Sequence, residues 1–125
     1  MVDMPGSPEP SVFTRIIARE IPADVVFESD SLIAFRDRNP QAPVHILVVP
    51  KTDKYRNVTE LAAGDPALLA EIVATAKHLA NEHAAGEYRL VFNEGPSVGQ
   101  TVFHVHAHVL GAGVGGRLAE GTLGQ

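Results

Sequence analysis

The stretch Phe103-His104-Val105-His106-Ala107-His108-Val109-Leu110 has a histidine at every second position, with apolar residues between them. Because side chains in a β-strand point alternately to its two faces, this pattern predicts a strand over residues 101–110. The three imidazoles would share one face at intervals of roughly 6.5–7 Å, close enough to form one hydrogen-bond network. The residues between them would form an apolar face that packs on the core.

A row of three imidazoles allows three chemical interpretations. Solvated surface histidines are the simplest, but strict alternation over three positions argues against them. Two histidines at positions i and i+2 of a strand can also chelate zinc or iron, and His45 or Asp37 could complete such a site. Alternatively, a neutral imidazole can attack phosphorus when its second ring nitrogen is held by an acceptor, while flanking histidines orient it and supply a proton. The spacing alone leaves the metal and the nucleophile interpretations open.

The residues just before the predicted strand, Gly99-Gln100-Thr101, are suited to binding an anion. Successive main-chain N–H groups in such a loop can surround phosphate oxygens, and the hydroxyl of Thr101 could donate to a leaving atom. The alternative is a plain turn that joins two strands, and the loop taken by itself favours the turn.

Two helices are predicted from apolar spacing and capping residues. A short one follows Ser11, whose hydroxyl is a good helix cap. A long one begins at Asp65-Pro66 and runs to about Ala84, with Gly86 as a stop signal. The apolar stripe of the long helix consists of Leu68, Leu69, Ile72, Val73, Ala76, Leu79 and Ala80.

Short β-rich runs predict the remaining strands. Residues 25–27 and 32–35 form a predicted hairpin, and further strands are predicted at 45–49 and 88–92. Residues 51–63 predict only loop or a short turn. The predicted order is a short helix, a hairpin, a strand, a long helix and two strands. This order indicates an α+β meander rather than alternating βαβ units.

The composition is that of one globular domain without unusual features. The chain has 125 residues, 45% of them hydrophobic and 20% charged, with a formal net charge of −5 and no cysteine. The negative charge, without a basic cluster, argues against nucleic-acid binding, and the lack of cysteine excludes disulfides. Residues 1–10 predict a disordered leader that has no apolar core and so is not a signal peptide, and no apolar run is long enough to span a membrane. We therefore expect a cytoplasmic protein.

Taken together, several segments resemble the histidine triad (HIT) superfamily. Residues 99–111 are similar to its signature, three histidines alternating with apolar residues. Residues 35–51, FRDRNPQAPVHILVVPK, and residues 13–22 resemble the Hint branch, the purine nucleoside phosphoramidases, and Asn93-Glu94-Gly95 matches the same branch in order and spacing. The resemblance covers residues 11–111, which would form the HIT domain.

The resemblance implies a fold, an assembly and an activity. The fold is an α+β, HIT-like domain with a five-stranded antiparallel sheet, one long and one short helix, which pairs with a second copy across a two-fold axis. The activity is hydrolysis of the P–N bond of purine nucleoside phosphoramidates, such as adenosine 5'-monophosphoramidate, through a nucleotidyl-histidine intermediate. Dinucleoside polyphosphate hydrolysis, or a nucleotide-binding scaffold with weak activity, would be the alternatives.

The resemblance also implies roles for individual residues. His106 corresponds to the nucleophile, with His104, His108 and His45 in support. Asp37 would accept hydrogen bonds from the ribose hydroxyls. The other implied nucleotide contacts are Asn93, Gly99, Gln100 and Thr101 around the α-phosphate, with Thr101 also serving the leaving atom, and Phe13, Ile16 and Phe35 around the base.

The chain departs from its relatives at both ends. Some relatives carry zinc through a Cys-x-x-Cys pair where this chain has Ser11 and Thr14, so we expect neither a metal nor another cofactor. Hint-type chains usually end in a tail that contains tryptophan and reaches the site of the partner subunit. Here residues 112–125 form a glycine-rich tail without tryptophan, which bears on the choice of leaving group more than on the chemistry at phosphorus.

Overall fold

The computed structural model describes residues 10–113 and 115–122, so the predicted leader lies outside the described residues apart from Pro10. Within this part of the chain, five strands form one antiparallel sheet with the order β1-β2-β3-β5-β4. The elements are α1 (Val12–Ile17), β1 (Val25–Glu28), β2 (Leu32–Arg36), β3 (Val44–Pro50), α2 (Val58–Gly64), α3 (Pro66–His83), β4 (Arg89–Val91), a 3-10 turn (Pro96–Val98) and β5 (Ala107–Gly111). The predicted α+β class and the five-stranded sheet are confirmed.

The sheet has a different cover on each face. α2 and α3 pack on one face, where the main core lies around Ile46, Leu61, Ile72 and Val109. α1 packs on the other face through Phe13 and Ile16, over a smaller cluster. The central strand β3 is buried along its whole length, because it has a strand on each side and a helix over each face.

The long helix is confirmed with the predicted boundaries. The carboxylate of Asp65 caps it by accepting the N–H of Leu68 at 3.0 Å, and Pro66 occupies the first turn. At its end, Gly86 takes a φ of 81° and its N–H donates to Ala80 O at 2.9 Å. The apolar stripe is narrower than predicted, since Val73 is 41% exposed.

The prediction of a loop over residues 51–63 is wrong, because α2 lies there. Asn57 caps this helix by accepting the N–H of Glu60 at 2.9 Å. Asn57 and Glu60 have the spacing of a capping box, which is a signal that the sequence does contain. Leu61 is the buried residue that fixes the helix on the core.

The last strand begins six residues later than predicted. β5 starts at Ala107, opposite Val48 of β3. β3 ends at Pro50, which has no N–H to donate, and the N–H of Val105 donates instead to Tyr55 O at 3.0 Å. The segment 101–106 is therefore outside the strand and bends at residues 102–104, so the side chains of His104 and His106 are held by contacts other than a strand ladder.

Part of the C-terminal tail docks on the edge strand β4. The guanidinium of Arg89 donates to Ala119 O and Thr122 O, both at 2.9 Å. Leu118 is half-buried in a groove beside Tyr88 and Arg89. This groove is separate from the cavity described below. Within the described residues, no helix is both long enough and apolar enough to cross a membrane.

Candidate active site

A cavity of about 1110 Å³ opens on the face of the sheet that α1 covers. Its floor includes the side chains of His106 and His108, and α1 and β2 form its walls. Of the residues predicted for the site, it is lined by Phe13, Ile16, Phe35, Asp37, Gly99, Thr101, His106 and His108. His45 and His104 are buried and contact the lining residues from behind.

The ring of His106 is held in one tautomer. Its Nδ1 lies 2.8 Å from the main-chain oxygen of His104. A carbonyl oxygen can only accept, so Nδ1 carries the proton and donates it. The Nε2 of the neutral ring is then left with its lone pair, which is the condition for a nucleophile. The edge of the Phe13 ring packs against this imidazole, with the ring centroids 4.8 Å apart.

A chain of hydrogen bonds also fixes the tautomer of His108. The main-chain N–H of Gln41 donates to His45 Nδ1 at 3.0 Å, so the proton of His45 is on Nε2. His45 Nε2 donates in turn to His108 Nδ1 at 2.9 Å. His108 therefore carries its proton on Nε2, on the far side of the ring from His45. This gives the cavity one imidazole N–H donor beside one imidazole lone pair.

Asp37 lies where the loop after β2 meets the histidines. One carboxylate oxygen accepts the N–H of Asn39 at 2.8 Å, and the other lies 3.4 Å from His45 Nε2. The main-chain N–H of Asp37 donates to His45 O at 2.9 Å, which ties the loop to β3. The carboxylate is thus held at the cavity wall and partly exposed to it.

His104 faces α1 rather than the cavity. Its Nε2 lies 2.7 Å from Pro50 O, and its Nδ1 lies 3.2 Å from Ser11 Oγ and 3.5 Å from Thr14 Oγ1. His104 shares the face of His106 and His108, as the alternation predicts. It does not line the cavity, however, and instead packs behind the residues that do.

Burial keeps the two imidazoles that line the cavity, His106 and His108, neutral near pH 7. Burial lowers the pKa of His106 to about 4, and the neighbouring His104 lowers it further, while the hydrogen bond to the His104 carbonyl and the charge of Asp37 oppose the shift. Burial lowers the pKa of His108 to about 3, with His106 and His45 adding to the effect. Burial also lowers the pKa of His45, and Asp37 opposes that shift. Neutral rings are what both the nucleophile and its neighbouring donor require.

The loop before β5 uses several of its polar groups in hydrogen bonds within the chain. The N–H of Gly99 donates to Pro96 O and that of Gln100 to Gly95 O, both at 3.1 Å, so the 3-10 turn already uses these two donors. The side chain of Gln100 is 2% exposed and does not line the cavity. It accepts from Gly95 N and donates to Arg56 O and Val102 O. The structure therefore gives this side chain a role in holding the loops together, and the contact of Gln100 with a nucleotide stays a prediction.

Two other phosphate contacts stay predictions. Thr101 is exposed and lines the cavity, which suits its predicted place beside a leaving atom. Asn93 does not line the cavity, but its side-chain Nδ2 is buried without a hydrogen-bond partner among the described residues. An amide N–H in that state is an available donor.

The residues present do not fit a resident metal. Asp37, His45 and His108 bring one possible ligand atom each to within 4.8 Å of the others. A metal on His45 Nε2 would move the ring proton to Nδ1, where it would oppose the N–H of Gln41. At the positions of the cysteine pair, Ser11 and Thr14 offer hydroxyls, which are not among the usual zinc ligands. The hydrogen-bonded histidine pair explains the cluster without an ion.

Several cavity residues were not predicted from the sequence. Leu47 lies directly opposite His108 on β3 and lines the cavity. The strict alternation of His45, Leu47 and Val49 was a usable signal for it. Ile21 and Val102 reach the cavity from irregular segments, where no periodicity exists to indicate a face.

Comparison with known proteins agrees with this fold. The HIT domain family model matches residues 18–113. An uncharacterized HIT-like protein of Synechococcus elongatus is 51% identical over 82% of this chain and 90% of its own length. Adenylylsulfatase HINT1 of Arabidopsis thaliana is 41% identical over 84% of this chain and 73% of its own length. A 14 kDa zinc-binding protein of Zea mays is 42% identical over 82% of this chain and 81% of its own length. A HIT family hydrolase from Legionella pneumophila superposes with a TM-score of 0.81 at 41% identity, covering 90% of this chain and 99% of that one.

The fold and the histidine site together define an α+β hydrolase of the histidine triad class. The chain belongs to the HIT family.

Proposed function

We propose that the protein hydrolyses the P–N bond of purine nucleoside phosphoramidates through a covalent intermediate on His106. The observation that carries the proposal is the hydrogen bond of 2.8 Å from His106 Nδ1 to His104 O, which commits the lone pair to Nε2 in a ring that lines the cavity. A low pKa, near 4, keeps that lone pair unprotonated at neutral pH.

The reaction would proceed in two displacements at phosphorus. His106 Nε2 forms a bond to the α-phosphorus while the P–N bond breaks, and the departing amine takes up a proton from solvent through the hydroxyl of Thr101. Water then attacks the nucleotidyl-histidine, the N–P bond breaks, and the nucleoside monophosphate leaves with the regenerated neutral imidazole. The net reaction consumes one water and yields an amine and a nucleotide.

His108 would stabilise the phosphoryl oxygens. Its Nε2 carries a proton because its Nδ1 accepts from His45 at 2.9 Å. The rings of His106 and His108 lie 5.1 Å apart between centroids, so one phosphate group can contact both. A fixed donor aimed at developing negative charge is the usual source of such stabilisation.

The nucleoside would occupy the cavity wall formed by α1 and β2. Phe13 and Phe35 meet edge to face with centroids 5.6 Å apart and offer, with Ile16, an apolar surface for a base. Asp37, the residue after β2, would accept hydrogen bonds from the ribose hydroxyls. The name of the Arabidopsis relative, adenylylsulfatase, makes sulfate a second candidate leaving group.

The direct experiment is an assay of amine and nucleotide release from adenosine and guanosine 5'-phosphoramidates in the presence of a chelator. Adenylyl sulfate and a diadenosine polyphosphate serve as alternative substrates. We expect phosphoramidate turnover that the chelator does not reduce. Turnover of the polyphosphate alone, or activity that zinc restores after chelation, would contradict the proposal.

We also propose that the protein is a homodimer, as the family resemblance implies, although the apolar stripe of α3 leaves little surface for a partner. Leu68, Ile72 and Leu79 are buried against the chain's own sheet. The apolar surface left over on α3 is Val73, together with the partly buried Leu69. The outer edge of β4 is the other candidate contact, because no strand among the described residues pairs with it on that side. Sedimentation equilibrium distinguishes a monomer of 13.3 kDa from a dimer.

A further inference from the structure

We propose that the hydroxyl groups of Ser11 and Thr14 are positioning groups that hold His104 and, through its main-chain oxygen, the nucleophile His106. This inference rests on the proposed function, in which His106 attacks phosphorus. Ser11 Oγ lies 3.2 Å from His104 Nδ1 and 3.2 Å from Thr14 Oγ1, and Thr14 Oγ1 lies 3.5 Å from the same ring nitrogen. The two hydroxyls and the imidazole thus form one cluster, and the imidazole is 1% exposed.

The direction of each hydrogen bond follows from the acceptors. Pro50 O can only accept, so His104 Nε2 donates to it at 2.7 Å and the ring proton is on that nitrogen. His104 Nδ1 is therefore an acceptor, and the nearer hydroxyl, that of Ser11, donates to it. Ser11 Oγ also accepts the main-chain N–H of Thr14 at 3.1 Å, as the cap of α1. One hydroxyl therefore starts the helix and orients the imidazole.

This cluster is needed because the chain around His104 has no strand partner. β5 begins only at Ala107, and the N–H of Val105 donates to a loop carbonyl, Tyr55 O. The ring of His104 is instead held by hydrogen bonds at both nitrogens, to α1 on one side and to the end of β3 on the other. Its main-chain oxygen is the acceptor that fixes the tautomer of His106. A shift of that oxygen would release the His106 proton to either nitrogen and misplace the attacking atom.

The same cluster joins the start of α1 to His104 through hydroxyl groups, at the two positions where the family resemblance implies a Cys-x-x-Cys pair in some relatives. Hydroxyls retain the helix cap and can donate to an imidazole nitrogen, whereas their neutral oxygens are weak zinc ligands. The short helix α1, which carries the cavity residues Phe13 and Ile16, is in this way joined by hydrogen bonds to the segment that carries the nucleophile.

The test compares a hydroxyl-free variant with hydroxyl-retaining ones. Glycine is nearly as good a helix cap as serine, so Ser11→Gly with Thr14→Val removes both hydroxyls while leaving the helix start largely intact. We expect kcat to fall by about tenfold or more in this double variant, since small displacements of an attacking atom are costly. KM and the calorimetric Kd for the product nucleotide should change by less than about threefold. Ser11→Thr and Thr14→Ser should remain close to the wild type.

Three outcomes would overturn the proposal. The first is a rise in KM and Kd with kcat unchanged, which would mean that α1 only forms the base pocket. The second is an equal loss of kcat in the hydroxyl-retaining variants. The third is spectroscopic: ¹⁵N-resolved NMR of the histidine rings should show His104 protonated at Nε2 and not at Nδ1, and protonation at Nδ1 in the wild type would contradict the geometry.

The NMR measurement also separates failure of this proposal from failure of the proposed function. If the wild type hydrolyses no phosphoramidate, the proposed function is wrong. The tautomer of His104, and its change to a mixed or broadened signal in the double variant, would still decide whether the hydroxyls orient the ring.

Discussion

The Nδ1 atom of His106 lies 2.8 Å from the main-chain oxygen of His104, two residues earlier in the chain. This contact uses the main chain, so no side-chain substitution at position 104 removes the acceptor itself. It commits the ring to one tautomer and turns the unprotonated nitrogen away from the peptide. The neighbouring pair has the opposite arrangement. The N–H of Gln41 donates to His45, His45 donates to His108 Nδ1, and His108 is left with a proton on Nε2 to donate into the cavity.

Activity should depend little on pH from neutral conditions down to about pH 5. His106 acts as a neutral ring, and its pKa is lowered to about 4, chiefly by burial. An ordinary histidine would instead lose activity near pH 6.5. The measurement is kcat/KM for a phosphoramidate between pH 4 and 8, with His106→Asn as the blank for acid hydrolysis of the substrate. A fall in activity centred near pH 6.5 would show that His106 is not shielded as described.

Stability should decrease as the pH falls from 7 to 5. In this range, the unfolded chain takes up protons at His106 and His108, whereas the folded chain does not until the pH nears about 4 and about 3, respectively. The free energy of unfolding should therefore fall by on the order of 1 kcal/mol per pH unit for each ring. Urea unfolding at pH 7, 6 and 5 measures the slope. His106→Asn should have a shallower slope, and an unchanged slope would argue against the depressed pKa.

His45 should support catalysis through His108. His45→Ala removes the donor to His108 Nδ1, after which the His108 proton can occupy either nitrogen. We expect kcat to fall by about tenfold or more, as losses of a tautomer-fixing partner can be larger still. His45→Gln places an amide N–H near the position of Nε2 and should recover part of the loss, whereas the shorter His45→Asn should not. Equal activity in all three variants would mean that the hydrogen bond from His45 to His108 has no role in catalysis.

Gln100→Ala should lower stability rather than nucleotide affinity. The substitution leaves Arg56 O, Val102 O and the N–H of Gly95 without their buried partner. Unsatisfied buried groups of this kind cost about 1–3 kcal/mol. Urea unfolding and calorimetric titration with AMP report the two quantities separately. A weaker AMP affinity at unchanged stability would instead support the predicted contact between Gln100 and the nucleotide.

Local patterns in the sequence predicted the elements that are governed by local chemistry. Asp65-Pro66 and Gly86 bound the long helix because capping and stop signals act within a few residues. The face shared by the histidines followed from alternation: Phe13 packs edge-on against His104 and His106, whereas Val105 and Ala107 pack in the main core on the other face. α2 was missed although Asn57 and Glu60 carry a capping signal, because its apolar anchor is the single residue Leu61.

Features that depend on distant parts of the chain could not be predicted in the same way. The late start of β5 depends on where β3 ends at Pro50, a partner more than fifty residues away in sequence. The inward turn of Gln100 depends on the loop carbonyl of Arg56. The contact of Ser11 with His104 joins the beginning of the domain to its end. Such contacts have no local sequence pattern, so only the assembled fold shows them.

The most direct measurement is the mass of the intact protein during a single turnover of adenosine 5'-phosphoramidate, quenched under alkaline denaturing conditions that preserve the N–P bond. The account predicts a transient increase by one adenylyl group, located on His106 by peptide fragmentation. His106→Asn should bind AMP with nearly wild-type affinity but show neither the adduct nor turnover. Turnover in that variant at more than a few per cent of the wild-type rate, or an adduct on another residue, would contradict the assignment of His106 as the nucleophile.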